Sequence, residues 1–268
     1  MAERLEAESR TGSVPCAPGD SPVLETRGLT RRFGGLLAVH DVDFQVSEGE
    51  IRGVIGPNGA GKTTLFNLIT GYLKPSSGRV FFRGQEITGG SPRRVARRGI
   101  ARKFQITQVF PTLSVLDNVV LAAQQRRHRS SLWLFAPCRV RGVAEEVLSD
   151  VHLLEKSRSL AGSLSHGEQQ RLELGLVLAT GAAVLLLDEP TAGMSVEERA
   201  GMAELVLSLA EKRTLVVTEH DFDFIKQVAT TITVLNKGEK LAEGTADKIA
   251  CDPRVRECYL GREDARDQ

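Results

Sequence analysis

Nine consecutive residues, Gly56-Pro57-Asn58-Gly59-Ala60-Gly61-Lys62-Thr63-Thr64, constrain this chain more than any other part of it. The string fits G-x-x-x-x-G-K-[ST]. It follows a strand-like segment, Glu50-Ile51-Arg52-Gly53-Val54-Ile55, and precedes a helical pattern closed by Gly71, which is the context such a loop requires. Glycines at 56, 59 and 61 let the backbone wrap closely, so that its N–H groups point at phosphate oxygens. The helix that starts there adds the positive end of its dipole. Lys62 is placed to reach β- and γ-phosphates as a mobile cation, and the Thr63 hydroxyl to ligate Mg²⁺.

A second string completes that chemistry. Ala183-Val184-Leu185-Leu186-Leu187-Asp188-Glu189 reads as a buried parallel strand ending in two carboxylates. Ligands of open α/β sheets gather at the carboxyl ends of strands, the same edge that carries a phosphate loop. Asp188 is expected to hold Mg²⁺ through its water shell, and Glu189 to polarise an attacking water as general base.

Periodicity supplies the frame. Three segments between residues 23 and 54 alternate as half-buried antiparallel strands, with turns at Gly34-Gly35 and Glu48-Gly49. Residues 79–83 read as a further strand, and Ser91-Pro92 as the cap and first position of a short basic helix with Arg93, Arg94, Arg97 and Arg98. A solvated face is the plain reading of those arginines, and contact with a membrane subunit or lipid head groups its rival. Apolar positions at i, i+3 and i+4 predict helices over 115–123, 143–154 and 168–178, interrupted by residues 126–142 around Leu132-Trp133-Leu134-Phe135. Beyond residue 182, apolar strands (V-L-L-L, L-V-V-T, I-T-V-L) alternate with helices at 196–212 and 222–229, the pattern of a parallel sheet with crossover helices. A hairpin at 231–243 and a short helical tail follow. The expectation is an α/β core with a helical insertion at about 108–181, preceded by a disordered leader over 1–22 that is rich in Glu, Arg, Ser, Pro and Gly.

Composition excludes several classes. Lys plus Arg is 35 against 34 for Asp plus Glu, a net charge of +1, and aromatics are 5%, which argues against nucleic-acid binding. The longest uncharged apolar stretch, 174–187, falls well short of the roughly 20 residues of a membrane span, and residues 1–10 lack the apolar run of a signal peptide. Cys16, Cys138, Cys251 and Cys258 lack metal-ligand spacing and read as reduced thiols of an intracellular protein.

A third string narrows the class. Leu164-Ser165-His166-Gly167-Glu168-Gln169-Gln170-Arg171 opens a helix with Ser165 as cap and Glu168 as its capping-box partner. In order before the acidic strand, it resembles the L-S-G-G-Q signature of ATP-binding cassette (ABC) ATPases, with His166 and Glu168 departing from the pattern. The resemblance covers residues 23–261 and implies the ABC ATPase fold: a RecA-like parallel-sheet core, an N-terminal antiparallel β subdomain and the inserted helical subdomain, with a C-terminal tail from about 245 to 268. It implies ATP as ligand, gripped by Gly56 to Thr64 of one chain and by Ser165 and Gly167 of a facing chain. Phe33 stands where the family stacks an aromatic on adenine. Gln105 matches the glutamine that senses Mg²⁺ and the attacking water, and His220 the switch histidine at the γ-phosphate. Ala192-Gly193-Met194-Ser195 occupies the place of the S-A-L-D loop, with Ser195 for the Asp.

Within the family the chain is similar to the ATPases of uptake systems for branched-chain amino acids and for urea. Its strings Arg102-Lys103-Phe104-Gln105, Leu164-Ser165-His166-Gly167 and Ala192-Gly193-Met194 put urea or another small amide slightly ahead. That implies two membrane permease subunits, a second cassette in a head-to-tail dimer, and an extracytoplasmic solute-binding protein reached through the permeases. The expected location is cytoplasmic, peripheral on the inner face of the membrane. The alternative is a non-transport ABC ATPase acting with soluble partners.

Overall fold

The structure is a computed structural model and describes residues 21–103, 109–124 and 137–260. The expected leader therefore lies, except for its last two residues, outside the described residues, as do Gln105, Leu132-Trp133-Leu134-Phe135 and the tail from 261. Strands β1 (Leu24–Phe33) and β2 (Leu36–Val46) come first, joined through Gly34 at φ 58°. Strand β3 (Ile51–Ile55) runs into the glycine-rich loop, and helix α1 (Lys62–Ile69) leaves it. Next come β4 (Ser77–Phe82), β5 (Gln85–Glu86), α2 (Pro92–Arg98) and β6 (Ile100–Lys103). A helical group follows, α3 (Val115–Ala123), α4 (Pro137–Asp150) and α5 (His166–Ala179). The chain then alternates through β7 (Val184–Asp188), α6 (Val196–Ala210), β8 (Thr214–Thr218), α7 (Phe222–Val228) and β9 (Thr231–Asn236). Strand β10 (Glu239–Gly244) and helices α8 (Ala246–Cys251) and α9 (Pro253–Leu260) close the described part.

These strands form an antiparallel sheet ordered β2-β1-β4-β5 and a six-stranded sheet ordered β10-β9-β3-β8-β7-β6, parallel except for β10. Period-two alternation sends the parallel strands' side chains into two cores. Ile55, Leu185, Leu187, Leu215, Val217, Ile232 and Val234 face a core closed by α3 to α8, whereas Val54, Val184, Leu186 and Val216 face α1 and the antiparallel sheet. Helices α3, α4 and α5 share the first core through Val119, Leu148 and Leu172.

Three expectations change. The segment from Glu50 to Ile55 is not a half-buried antiparallel strand: β3 is buried along its length and parallel between β8 and β9. Arg52 made it read as half-exposed, yet its guanidinium is buried, 2.7 Å from Glu50 and 3.2 Å from Glu243, so the charge is matched inside. The helix expected at 143–154 instead spans Pro137–Asp150. It stops because His152 turns left-handed at φ 56° and Leu153 N donates back to Leu148 O at 2.8 Å. Strand β6 answers to no sequence expectation, since its last two residues are Arg102 and Lys103, both neutralised by buried partners.

Candidate functional site

All neighbours of β3, β7 and β8 within this part of the sheet are parallel, so their carboxyl ends open on one edge. Thr218 is in register with both Val54 and Asp188, which brings the glycine-rich loop, the pair Asp188-Glu189 and the segment Glu219-His220 side by side.

The loop shape depends on glycine where other backbone comes close. A Cβ on Gly61 would lie 2.5 Å from Ala38 O, and its φ of 104° is a conformation that L side chains rarely adopt. Gly59 has nothing within 4 Å of a Cβ and lies open, with Asn58, to solvent. Ala60 N donates to Pro57 O at 3.0 Å, and Gly238 N to Ala60 O at 3.0 Å, which pins the loop to the β9–β10 hairpin. Lys62 is buried at the start of α1, and its ammonium donates to Gly56 O at 2.6 Å and Pro57 O at 3.2 Å. Burial pushes its pKa down, while the negative charges of Glu189, Asp188 and Glu219 push the other way. Three carboxylates from two strand ends thus converge electrostatically on this one cation.

Asp188 is buried at the end of β7. Its Oδ1 accepts from Thr218 Oγ1 at 2.7 Å and its Oδ2 from Arg102 Nη2 at 2.5 Å. Arg102 also donates to Asn67 Oδ1 of α1 at 2.6 Å and stacks 5.5 Å from the Phe66 ring, so strand β6, helix α1 and the carboxylate are linked. Glu189 has φ 48°, an uncommon left-handed conformation for a non-glycine residue that turns the chain sharply out of the strand. Its N–H donates to Thr218 O at 3.0 Å, tying the turn to β8. His220 is exposed, with Nδ1 3.7 Å from Glu219 Oε2.

Glu219 is a residue the sequence reading passed over. It is fully buried, and Thr191 donates to its Oε1 from both N (2.9 Å) and Oγ1 (2.6 Å). Burial raises its pKa, and the Thr191 hydrogen bonds oppose that rise. Arg102 and Lys103 were likewise given no role. Lys103 is buried against Gln170 and Glu173 of α5, donating to Gln170 Oε1 and lying 3.2 Å from Glu173 Oε2. The usable signal was position, since charged residues at the carboxyl ends of buried parallel strands lie beside the ligand edge.

The signature segment stands apart from the loop: among the described residues no hydrogen bond or ion pair joins 165–167 to 56–64. Ser165 is exposed and caps α5, with the expected capping box formed: Glu168 N donates to Ser165 Oγ at 3.3 Å and Ser165 N to Glu168 Oε2 at 3.1 Å. Glu168 therefore acts as a cap, and Lys156, donating at 2.5 Å, holds its carboxyl below the usual range. Ser195 builds an equivalent box with Glu198 at the start of α6. Phe33, at the end of β1, is 42% exposed, with the Arg31 guanidinium 4.6 Å from its ring centre. Cys251 is an exposed free thiol.

A family profile described as ABC transporter matches residues 39–192, and one described as branched-chain amino acid ATP-binding cassette transporter matches residues 239–265. The chain is 37% identical over 252 residues to the high-affinity branched-chain amino acid transport ATP-binding protein BraF of Pseudomonas aeruginosa, covering 90% of this chain and 98% of that protein. It is similar to a crystal structure of the ADP conformation of an ATP-binding cassette of an ABC transporter, with a TM-score of 0.81 at 30% identity over 90% of this chain and 99% of that one. A second cassette, solved as a dimer in a post-hydrolysis state with ADP and Pi, gives a TM-score of 0.71 at 25% identity over 83% of this chain and 98% of that one.

Proposed function

The chain belongs to the ABC transporter family, in its branched-chain amino acid branch, and on that premise we propose that it is the ATP-hydrolysing subunit of an importer for branched-chain amino acids. The observation that carries the reading is the register of β3, β7 and β8, which sets the glycine-rich loop, Asp188-Glu189 and Glu219-His220 side by side at one sheet edge. It is an ATP hydrolase of the ABC type. The names of the tail profile and of BraF support branched-chain amino acids over urea or another small amide as the solute.

In the proposed site Gly56 to Thr64 cradle the phosphates, Lys62 leaves its loop carbonyls for the β- and γ-oxygens, and Phe33 stacks on adenine. Glu189 accepts the proton of the attacking water as the bond to the leaving ADP oxygen breaks, and His220 contacts the γ-phosphate. The residues suit Mg²⁺ as cofactor. Thr63 at the start of α1 and Asp188 at the end of β7 would offer it oxygen donors, with Gln105 added on the sequence reading. That set matches an ion held by few protein oxygens plus substrate phosphates. Bound Mg²⁺ would neutralise the charge that builds on the phosphate oxygens.

A complete site takes Ser165 and Gly167 from a facing cassette, because one chain has one loop and one signature. The exposed Ser165 cap and the dimeric cassette among the similar structures support this. The proposed organisation is the ABC domain from residue 23, with its helical subdomain at about 108–181. No helix among the described residues is long and apolar enough to cross a membrane. Its proposed place is the inner face of the membrane, on two permease subunits fed by an extracytoplasmic binding protein.

The test is Glu189→Gln. With ATP and Mg²⁺ this variant is expected to elute as a dimer and, from solubilised membranes, to bring two permeases and a second cassette. The companion binding protein is then screened with leucine and urea. Monomer at saturating ATP, or soluble partners alone, would overturn the proposal.

A further inference from the structure

His166 stands where the family signature has glycine, and its side chain is engaged within the same chain. Its Nε2 lies 3.1 Å from Ala192 O and 3.0 Å from where a Cβ on Gly193 would sit. Gly193, at φ 75°, is what lets the imidazole come this close. The next residue, Gly167, packs under α6, where a Cβ would fall 2.4 Å from Glu198 Oε1. Glu198 in turn accepts from Ser195 N at 3.0 Å, so the tip of α5 rests on the cap of α6.

From that segment the contacts continue. Arg199 Nε donates to Met194 O at 3.2 Å, and its Nη1 lies 3.1 Å from Asp221 Oδ2. The other oxygen of Asp221 accepts from Asp223 N at 3.0 Å and Phe224 N at 3.3 Å, starting α7 immediately after His220. The signature tip, the 192–195 segment, α6 and the His220 segment therefore form one unbroken series of contacts. A glycine at 166 would have no side chain to make the first of them.

We infer that His166 and Arg199 are positioning residues that tie the signature tip of α5 to the His220 segment within one chain, so that engagement of Ser165 by a facing cassette's nucleotide is felt at His220. This rests on the nucleotide roles proposed for Ser165 and His220. The test measures this coupling with a double-mutant cycle.

The cycle uses His166→Gly, Arg199→Met and both together, each in the Glu189→Gln background, and reads the ATP concentration that half-dimerises the chain. Each single change is expected to raise that midpoint about fivefold, the size of one net hydrogen bond. The double change should raise it no further than the larger single effect, and His166→Gln, which keeps an N–H donor, should restore it to within about twofold. Unchanged midpoints, or a double effect equal to the product of the singles, would overturn the inference. So would a fall in Tm with no change in midpoint, which would make the two residues merely structural. Absence of any ATP-driven dimer with His166 and Arg199 intact would overturn the nucleotide reading itself, and the inference with it.

Discussion

Replacing Arg102 by Met tests the electrostatics of this site most sharply. The Arg102 and Asp188 side chains are only 4% and 6% exposed and meet at 2.5 Å. Methionine keeps an apolar stem beside Phe66 and removes the cation, leaving a buried carboxylate that, among the described residues, keeps a hydrogen bond from Thr218. Removing one partner of a buried pair costs about 3–5 kcal/mol, several times the 0–1 kcal/mol of an exposed pair. For a chain of this size that corresponds to a fall in Tm of roughly 6–20 °C. Urea unfolding without nucleotide is the assay, so that ligand linkage does not contribute, and the midpoint should fall with an unchanged slope. Asp188→Asn on top of Arg102→Met removes the orphaned charge and is expected to recover about 2 kcal/mol. A loss below about 1 kcal/mol, or strict additivity of the two changes, would refute the claim that this pair is desolvated and coupled.

Other substitutions probe separate parts of the argument. Gly61→Ala combines a disfavoured φ of 104° with a 2.5 Å approach to Ala38 O and should cost about 2–4 kcal/mol in urea unfolding. Gly59→Ala, strained at φ 80° but meeting no atom, should cost only about 1–2 kcal/mol. Ser195→Ala should cost about 1 kcal/mol by thermal melts, and Ser195→Asp, which keeps an acceptor for Glu198 N but loses the donor to Glu197 Oε2 and sets a like charge beside it, should cost at least about as much. For Glu219 the sign follows from its raised pKa: the folded state binds more protons than the unfolded one once the pH exceeds 4.5. Stability contributed by this group is therefore complete below pH 4.5 and lost as pH rises through the folded-state value. Glu219→Gln, which keeps the acceptor for Thr191, should gain stability over the parent chain as pH rises across that window and level off above it. A gain that is the same at all pH values would count against buried ionisation at this position.

Much of the architecture is readable along the chain because its determinants are local. The glycine spacing from Gly56 to Gly61, the Ser165 cap and the continuous apolar run of 184–187 each act within a few residues, and the structure places them as read. Where local reading failed, a charged residue had been taken as a sign of solvent. Arg52 disguised a central strand, and Arg102 with Lys103 hid an edge strand. Glu219, beside His220, gave no sign of being fully buried. Gln105 falls outside the described residues, and its expected role stands as a sequence reading alone.

The phosphate loop, the acidic strand end and the capped signature helix were determined by the order of residues, since hydrogen bonds and φ preferences over one or two turns decide them. The partners of the buried charges were decided only by the tertiary structure. Arg102 meets Asp188 and Arg52 meets Glu243 because particular strands become neighbours. Residues separated by tens of positions carry no mutual signal in a single chain. Burial then turns each pairing from a weak, solvent-screened contact into one on which the surrounding structure depends.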